Sequence, residues 1–318
     1  MVTVTAESLK LKDLKNPLAC PSHWQEIDGT KMGLVRGEIL SLESLLHGLM
    51  LVSGNDAANV LGESLSGSVP DFIQEMNEYV ASLGCRNTHF KNPHGLHHPE
   101  HRTTAYDICL ITKKALKIPK FREIVSKISY MKPKSNKQPL TEIRQHNPLV
   151  KEGKHYYPKA IGVKTGFHSA AGNCLVAAAE HDGRTLIAVA FGCEKRHARY
   201  EDAVRLFETA FAEKKERKRF LGSEQIFSQE VAGSKIPLRA ALVQEIAIEY
   251  YPAEEPSCKA FIHWEMPKLP IRKGQKVGEV RLVDQEGKLL QKQDLAALQE
   301  VKGTFFFVLK EKINEIFR

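Results

Sequence analysis

The chain of 318 residues has no run of about 18 uncharged apolar residues, so it offers no single helix able to cross a bilayer. Its opening, Met-Val-Thr-Val-Thr, alternates polar and β-branched residues and has neither the basic nor the apolar stretch of a secretory leader. Cys20, Cys85, Cys109, Cys174, Cys193 and Cys258 are widely spaced and form no Cys-x-x-Cys, which predicts buried thiols and argues against a disulfide framework. No nucleic-acid-binding motif is present. A formal net charge of +8 favours anionic surfaces such as phospholipid headgroups or wall polymers, but the basic residues are scattered apart from one run at 214–219.

What is present reads as a soluble globular protein with one large domain and a smaller one. Leu42, Leu45, Leu46 and Leu49 recur at helical spacing from Ser41 and stop before Ser53. A second helix is expected behind Asn55 or Asp56 as N-cap, with Ala57, Val60 and Leu61 inward. A third has Pro70 near its start, Phe72, Ile73, Met76, Tyr79, Val80 and Leu83 on one face, and Gly84 as its stop. Residues 173–179 and 185–191 read as strands of a hairpin turning at Asp182-Gly183, with Lys164 on an adjoining strand. Helical periodicity returns over 199–211. Residues 214–219 are too charged for a core and predict a linker; beyond them, short β-type segments at 246–251, 259–264 and 278–283 predict a small all-β domain. Over 304–318, Phe305, Leu309, Ile313, Ile316 and Phe317 fall on one helical face opposite Lys310, Lys312, Glu315 and Arg318.

Two tripeptides carry chemistry. Ser53-Gly54-Asn55 sits in a turn between helices, and Lys164-Thr165-Gly166 opens a strand. Together with a Ser-x-x-Lys they form the motif set of serine acyl-transfer enzymes. No Ser-x-x-Lys precedes Ser53. The single example, Ser129-Tyr130-Met131-Lys132, follows it in a basic, polar stretch and promises no helix that would bring the lysine back over the serine one turn later. His94, His97, His98 and His101, with Glu100 beside them, lie in a Gly- and Pro-containing loop, which argues against a metal site.

These residues resemble the penicillin-binding D-alanyl-D-alanine carboxypeptidases over nearly the whole chain. The resemblance runs through Leu45-Leu46, residues 53–58, 84–89, Asn92-Pro93-His94-Gly95-Leu96, residues 162–166, Ala171-Gly172 and residues 271–277. It implies an α+β fold of the penicillin-binding/β-lactamase-like transpeptidase class over 1–213, incomplete at its N-terminus. A small β-sandwich domain over 220–303 and an amphipathic membrane-interface helix over 304–318 would follow. The family's nucleophile segment, signal peptide and first strands would lie upstream of the point that Met1 resembles. Removal of the terminal D-alanine from peptidoglycan pentapeptides through an acyl-enzyme is the implied activity, at the periplasmic face of the inner membrane or in the cell wall. No cofactor is implied. Partners would be D-Ala-D-Ala peptides, the membrane surface through the C-terminal helix, no nucleic acid, and β-lactams only when the upstream segment is present.

By the same resemblance Ser53, Asn55 and Lys164 are catalytic. Ser53 would relay a proton to the departing amine, Asn55 would hold the acyl side, and Lys164 would supply positive potential. Thr165, Gly166, the Phe167 backbone N–H as an oxyanion donor, and Arg199 for the terminal carboxylate complete the substrate site. A class A β-lactamase would carry a Glu-x-x-Leu-Asn segment between the second and third motifs, and the chain has none. The alternative from another class is a non-catalytic homologue that binds D-alanyl wall peptides.

Overall fold

A computed structural model describes residues 1–16, 19–265, 267–307 and 309, and divides the chain into two compact units, Met1–Phe211 and Ala212–Arg318. The first unit opens with a short antiparallel pair, β1 (Val2–Thr3) and β2 (Ile39–Leu40). Helices α1 (Leu42–Val52), α2 (Asn55–Ser66) and α3 (Val69–Ser82) follow. Ser41 caps α1 by accepting from the Ser44 N–H, and Ser68 caps α3 by accepting from the Asp71 N–H. Leu45 of α1 and Ala57, Val60 and Leu61 of α2 pack with Val2, Val4 and Leu40 in one apolar cluster.

After α4 (Ala105–Ala115) and α5 (Pro119–Ser126) comes an antiparallel pair, β3 (Ser129–Lys132) and β4 (Thr141–Arg144). The central sheet has the order β5 (Ala160–His168), β6 (Gly172–His181), β7 (Arg184–Cys193). Its two faces are covered differently. Leu175, Ala177 and Ala179 of β6 meet Tyr200, Ala203 and Phe207 of α6 (Ala198–Phe211), while Val176 and Ala178 face Val125 of α5 and Met50 of α1. Three successive alanines let helices approach both faces of this middle strand closely. The hairpin turns where expected, with Asp182 at φ 48° and Gly183 at φ 74°, the left-handed pair of a two-residue turn.

The second unit contains β8 (Glu216–Leu221), β9 (Ile226–Gln229), β10 (Leu238–Leu242), β11 (Ile246–Tyr250), β12 (Cys258–Trp264), β13 (Lys276–Asp284) and β14 (Leu289–Ala297). A five-stranded sheet ordered β12-β13-β14-β10-β9 and a two-stranded β11-β8 sheet share one core built on Leu238, Ile246, Val280, Leu282 and Leu295.

Three local expectations are corrected. The second helix begins at Asn55 behind Gly54, with no side-chain cap, because the Asp56 carboxylate is engaged elsewhere. Residues 216–219 of the charged run belong to β8, where their side chains are all exposed; backbone pairing with β11 holds them in a strand without a core. Of the cysteines only Cys85 is buried; the others are partly exposed, and all six are unpaired. The helix expected over 304–318 lies outside the described residues apart from 304–307 and 309. Among the described residues no helix is long and apolar enough to cross a membrane.

Candidate active site

Ser53 closes α1 in the left-handed region, at φ 64° and ψ 39°, a conformation that costs a non-glycine residue of order 1 kcal/mol. The turn around it is fixed from both sides. Gly54 donates to the Gly48 carbonyl at 3.1 Å, and Asn55 donates to the Thr30 carbonyl at 2.9 Å. A side chain at Gly54 would put its Cβ 2.9 Å from the Asp56 carboxylate, so the middle position admits only glycine without a shift. Asp56 in turn accepts from the backbone N–H groups of Met32, Gly33 and Leu34, each at 2.9 Å, and moors that loop beside the turn.

Across a cleft stands β5. It pairs only with β6 in the sheet, so its other edge borders the cleft. Lys164 reaches over from that edge and donates to Ser53 Oγ at 2.8 Å and to the Thr165 carbonyl at 2.9 Å. Burial, then the charge of Arg199, lowers the Lys164 pKa to about 8. The structure thus brings the two tripeptides into direct contact although 111 residues separate them.

Ser53, Thr165, Gly166 and Phe167 line both halves of the cleft. One half, about 560 Å³, also takes Asn55, Lys164, His94 and Leu96. The other, about 780 Å³, takes His146, Lys151, Arg196, Arg199 and Tyr200. Asn55 is buried yet its side-chain amide makes no hydrogen bond among the described residues, which leaves it free for a ligand in the cleft. The Phe167 side chain is 70% exposed at the rim. Arg199 is buried in the wall, donating through Nη1 to the carbonyls of Gly166 (2.7 Å) and Cys174 (2.8 Å) and through Nη2 to the Tyr200 hydroxyl (2.8 Å).

Sequence reasoning did not single out Thr30, His146, Lys151 or Arg196. No local pattern marks them; they meet the cleft only because α1, the loops and the sheet converge there.

Ser129 and Lys132 are not a catalytic pair. On a strand, side chains three residues apart point to opposite faces, and Lys132 is buried against Glu38 at 3.3 Å.

The histidine loop is held by backbone contacts. Asn92 accepts from the Gly95 N–H at 2.7 Å and donates to the Leu96 carbonyl at 2.9 Å. His94 Nδ1 accepts from the Leu96 N–H at 3.2 Å while Nε2 lies 3.2 Å from the His23 carbonyl. His101 Nδ1 accepts from the Lys91 N–H, and Glu100 pairs with Lys91. Among the described residues no group of three or more His, Cys, Asp or Glu is placed to hold a metal. Burial pushes the pKa of His94 down to about 3 and that of His101 to about 4. Both values lie below that of an unfolded histidine, so as pH falls the unfolded chain takes up these protons first. Stability should therefore fall from about pH 6.5 towards pH 4, by roughly 1–2 kcal/mol per histidine at pH 5. Urea unfolding at pH 7 and pH 5 checks this: His94→Asn with His101→Asn should flatten the difference, and an unchanged pH dependence would assign the acid sensitivity elsewhere.

The Peptidase S11 profile, described as D-alanyl-D-alanine carboxypeptidase, matches residues 1–195. The D-alanyl-D-alanine carboxypeptidase DacF of Bacillus subtilis is 27% identical over 294 residues, covering 91% of this chain and 74% of that protein. DacD of Salmonella typhimurium, with the same description, is 30% identical over 294 residues, covering 90% and 72%. The crystal structure of penicillin binding protein 5 from Haemophilus influenzae superposes with a TM-score of 0.59 at 27% identity, covering 95% of this chain and 83% of that one. With its Ser53–Lys164 contact at the cleft, the chain belongs to the D-alanyl-D-alanine carboxypeptidase family.

Proposed function

We propose that the chain carries the recognition and proton-relay part of a serine-type carboxypeptidase acting on the D-alanyl-D-alanine ends of peptidoglycan peptides. The observation that carries this reading is the 2.8 Å hydrogen bond from Lys164 to Ser53 at the open edge of β5. An extended peptide can add to that edge as a further strand, with its acyl portion beside Asn55 and its terminal residue beside Arg199. Ser53, whose hydroxyl accepts from Lys164, keeps its own proton to hand to the departing D-alanine amine. Lys164 places positive charge beside both the reacting carbonyl and the terminal carboxylate, Thr165 offers a hydroxyl, and the Phe167 N–H serves the oxyanion. A Cβ at Gly166 would meet only Cys174 at an ordinary 3.6 Å, so the fold itself does not demand glycine there; a substrate lying against the strand does.

Acylation needs a serine with a lysine base one helical turn away, and among the described residues no serine has one. On this reading the 318 residues bind the peptide but do not themselves acylate. Action in the periplasm or wall, with the segment around the exposed Phe305 and Phe306 resting on a membrane surface, fits this reading. Intact-mass analysis after incubation with a labelled β-lactam should show no adduct, while the peptide N-acetyl-D-Ala-D-Ala should shift backbone resonances over 164–167. A stoichiometric adduct on Ser53 or Ser129 overturns the division of labour.

A further inference from the structure

The two halves of the cleft carry opposite charge. Lys151, Arg196 and Arg199 line the half beside the terminal residue of the peptide, with Glu194 as its one carboxylate among the described residues. The half beside Asn55 is lined instead by the carboxylates of Glu26 and Asp28. Its lysine, Lys164, stands at the seam with the ammonium turned to Ser53 and the Thr165 carbonyl, and His94, with its pKa pushed down to about 3 by burial, adds no charge at neutral pH. The two carboxylates are not equivalent. Glu26 lies 3.5 Å from the Lys12 ammonium, whereas Asp28 is exposed and makes no hydrogen bond or ion pair among the described residues.

The loop that carries Asp28 is fixed against the Ser53 turn. Thr30 accepts from the Asn55 N–H at 2.9 Å, and Gly29 donates to the Glu26 carbonyl at 3.2 Å, closing a turn just before it. A Cβ at Gly29 would stand 2.6 Å from the Asn55 amide nitrogen, so only glycine lets the loop come this near, and Asp28 is the residue next to that point of approach. The Asn55 amide independently points to a ligand in this half. It is 5% exposed, lines the cleft and has no hydrogen-bond partner among the described residues, a cost that a bound polar group recovers.

A peptide lying extended along β5 advances about 3.3 Å per residue, so the residue before the D-alanyl pair lies roughly 7 Å upstream of the terminal one. That places its side chain over the acyl half. Leu96 is half-buried there and Phe167 exposed, which suits an alkyl stem, and Asp28 offers the counter-charge for its tip.

We infer that Asp28 binds a primary amine on the side chain of the residue preceding the D-alanyl pair, so that the cleft selects peptides that are cationic at that position. This rests on the carboxypeptidase reading above and adds to it the charge pattern of the substrate, an anionic end with a cation two residues before it.

The test compares two peptides on the whole chain by resonance titration, Nα-acetyl-L-Lys-D-Ala-D-Ala with its side-chain amine free and the Nα,Nε-diacetyl form in which that amine is capped. The free amine should bind about three- to fivefold more tightly, the size expected of one part-exposed ion pair, and should shift backbone resonances over 26–30 that the capped peptide leaves in place. Raising salt from about 50 mM to about 500 mM should shrink the preference. Asp28→Asn should lower the free-amine affinity to that of the capped peptide, and Glu26→Gln should keep most of the preference. If Asp28→Asn retains the preference, or if Glu26→Gln alone removes it, the assignment to Asp28 is overturned. Equal binding of the two peptides by the unaltered chain overturns the amine subsite and leaves the carboxypeptidase reading standing; binding of neither peptide fails that reading and takes this inference with it.

Discussion

Lys164→Ala should remove detectable binding of a free-acid D-alanyl peptide, and in any longer form of the protein that hydrolyses such peptides it should slow acylation by about 10²–10³-fold. The size follows from position. Lys164 has its ammonium on Ser53 and Thr165 at the seam of the two halves of the cleft, where burial limits screening by water. Its pKa of about 8 sets the pH response, with the sign fixed by which form attracts an anion. The protonated form binds carboxylate and supports the oxyanion, so affinity should be highest below pH 8 and fall as pH rises through that value. A bound carboxylate favours the charged form and moves the fall to higher pH. Titrations at pH 7 and pH 9.5 should show the loss in the native chain and a much smaller one in Lys164→Arg, whose guanidinium stays charged over that range. An affinity equal at both pH values in the native chain would show that Lys164 keeps its proton throughout and is not tuned by burial.

Much of this site was legible because its parts are local. The Leu42–Leu49 periodicity, the stop before Ser53 and the Asp182-Gly183 turn are fixed by neighbours within a few residues, and each element formed where those neighbours placed it. Order along the chain then carried the family resemblance. What was not legible depends on partners far away in sequence. Asp56 looks like a helix cap until the loop at 32–34 arrives to use its carboxylate. Arg199 looks like a free guanidinium until two strand carbonyls and Tyr200 occupy it. Lys151 and Arg196 look like ordinary surface charge, and only the convergence of their loops gives them a shared cavity. The β8 strand was missed for a different reason: a charged run normally signals solvated chain, but an exposed two-stranded sheet needs only backbone pairing with β11.

The polar stretch after α5 contains a buried ion pair with a large expected effect on stability. Glu38 and Lys132 are both almost wholly buried, 94 residues apart in sequence, with Nζ and carboxylate 3.3 Å from each other. Glu38 also accepts from the Ser135 hydroxyl at 2.7 Å and from the Gln138 amide at 3.1 Å, and Gln138 accepts from Lys132 at 2.9 Å. The network ties the loop before β2 to the β3 hairpin that packs against α1, the helix that ends in Ser53. Glu38→Ala leaves the Lys132 ammonium buried without its counter-charge, and should cost about 3–5 kcal/mol in urea unfolding. Lys132→Met alone leaves the carboxylate its other three donors, the Val35 N–H, Ser135 and Gln138, and should cost less. Glu38→Leu with Lys132→Met removes both charges and should recover most of the loss, because a buried ion pair is often replaced by apolar side chains at little net cost. Additive losses in that double variant would mean that the pair does not interact, and a Glu38→Ala cost below about 1 kcal/mol would place the pair in the solvent-screened class of surface ion pairs.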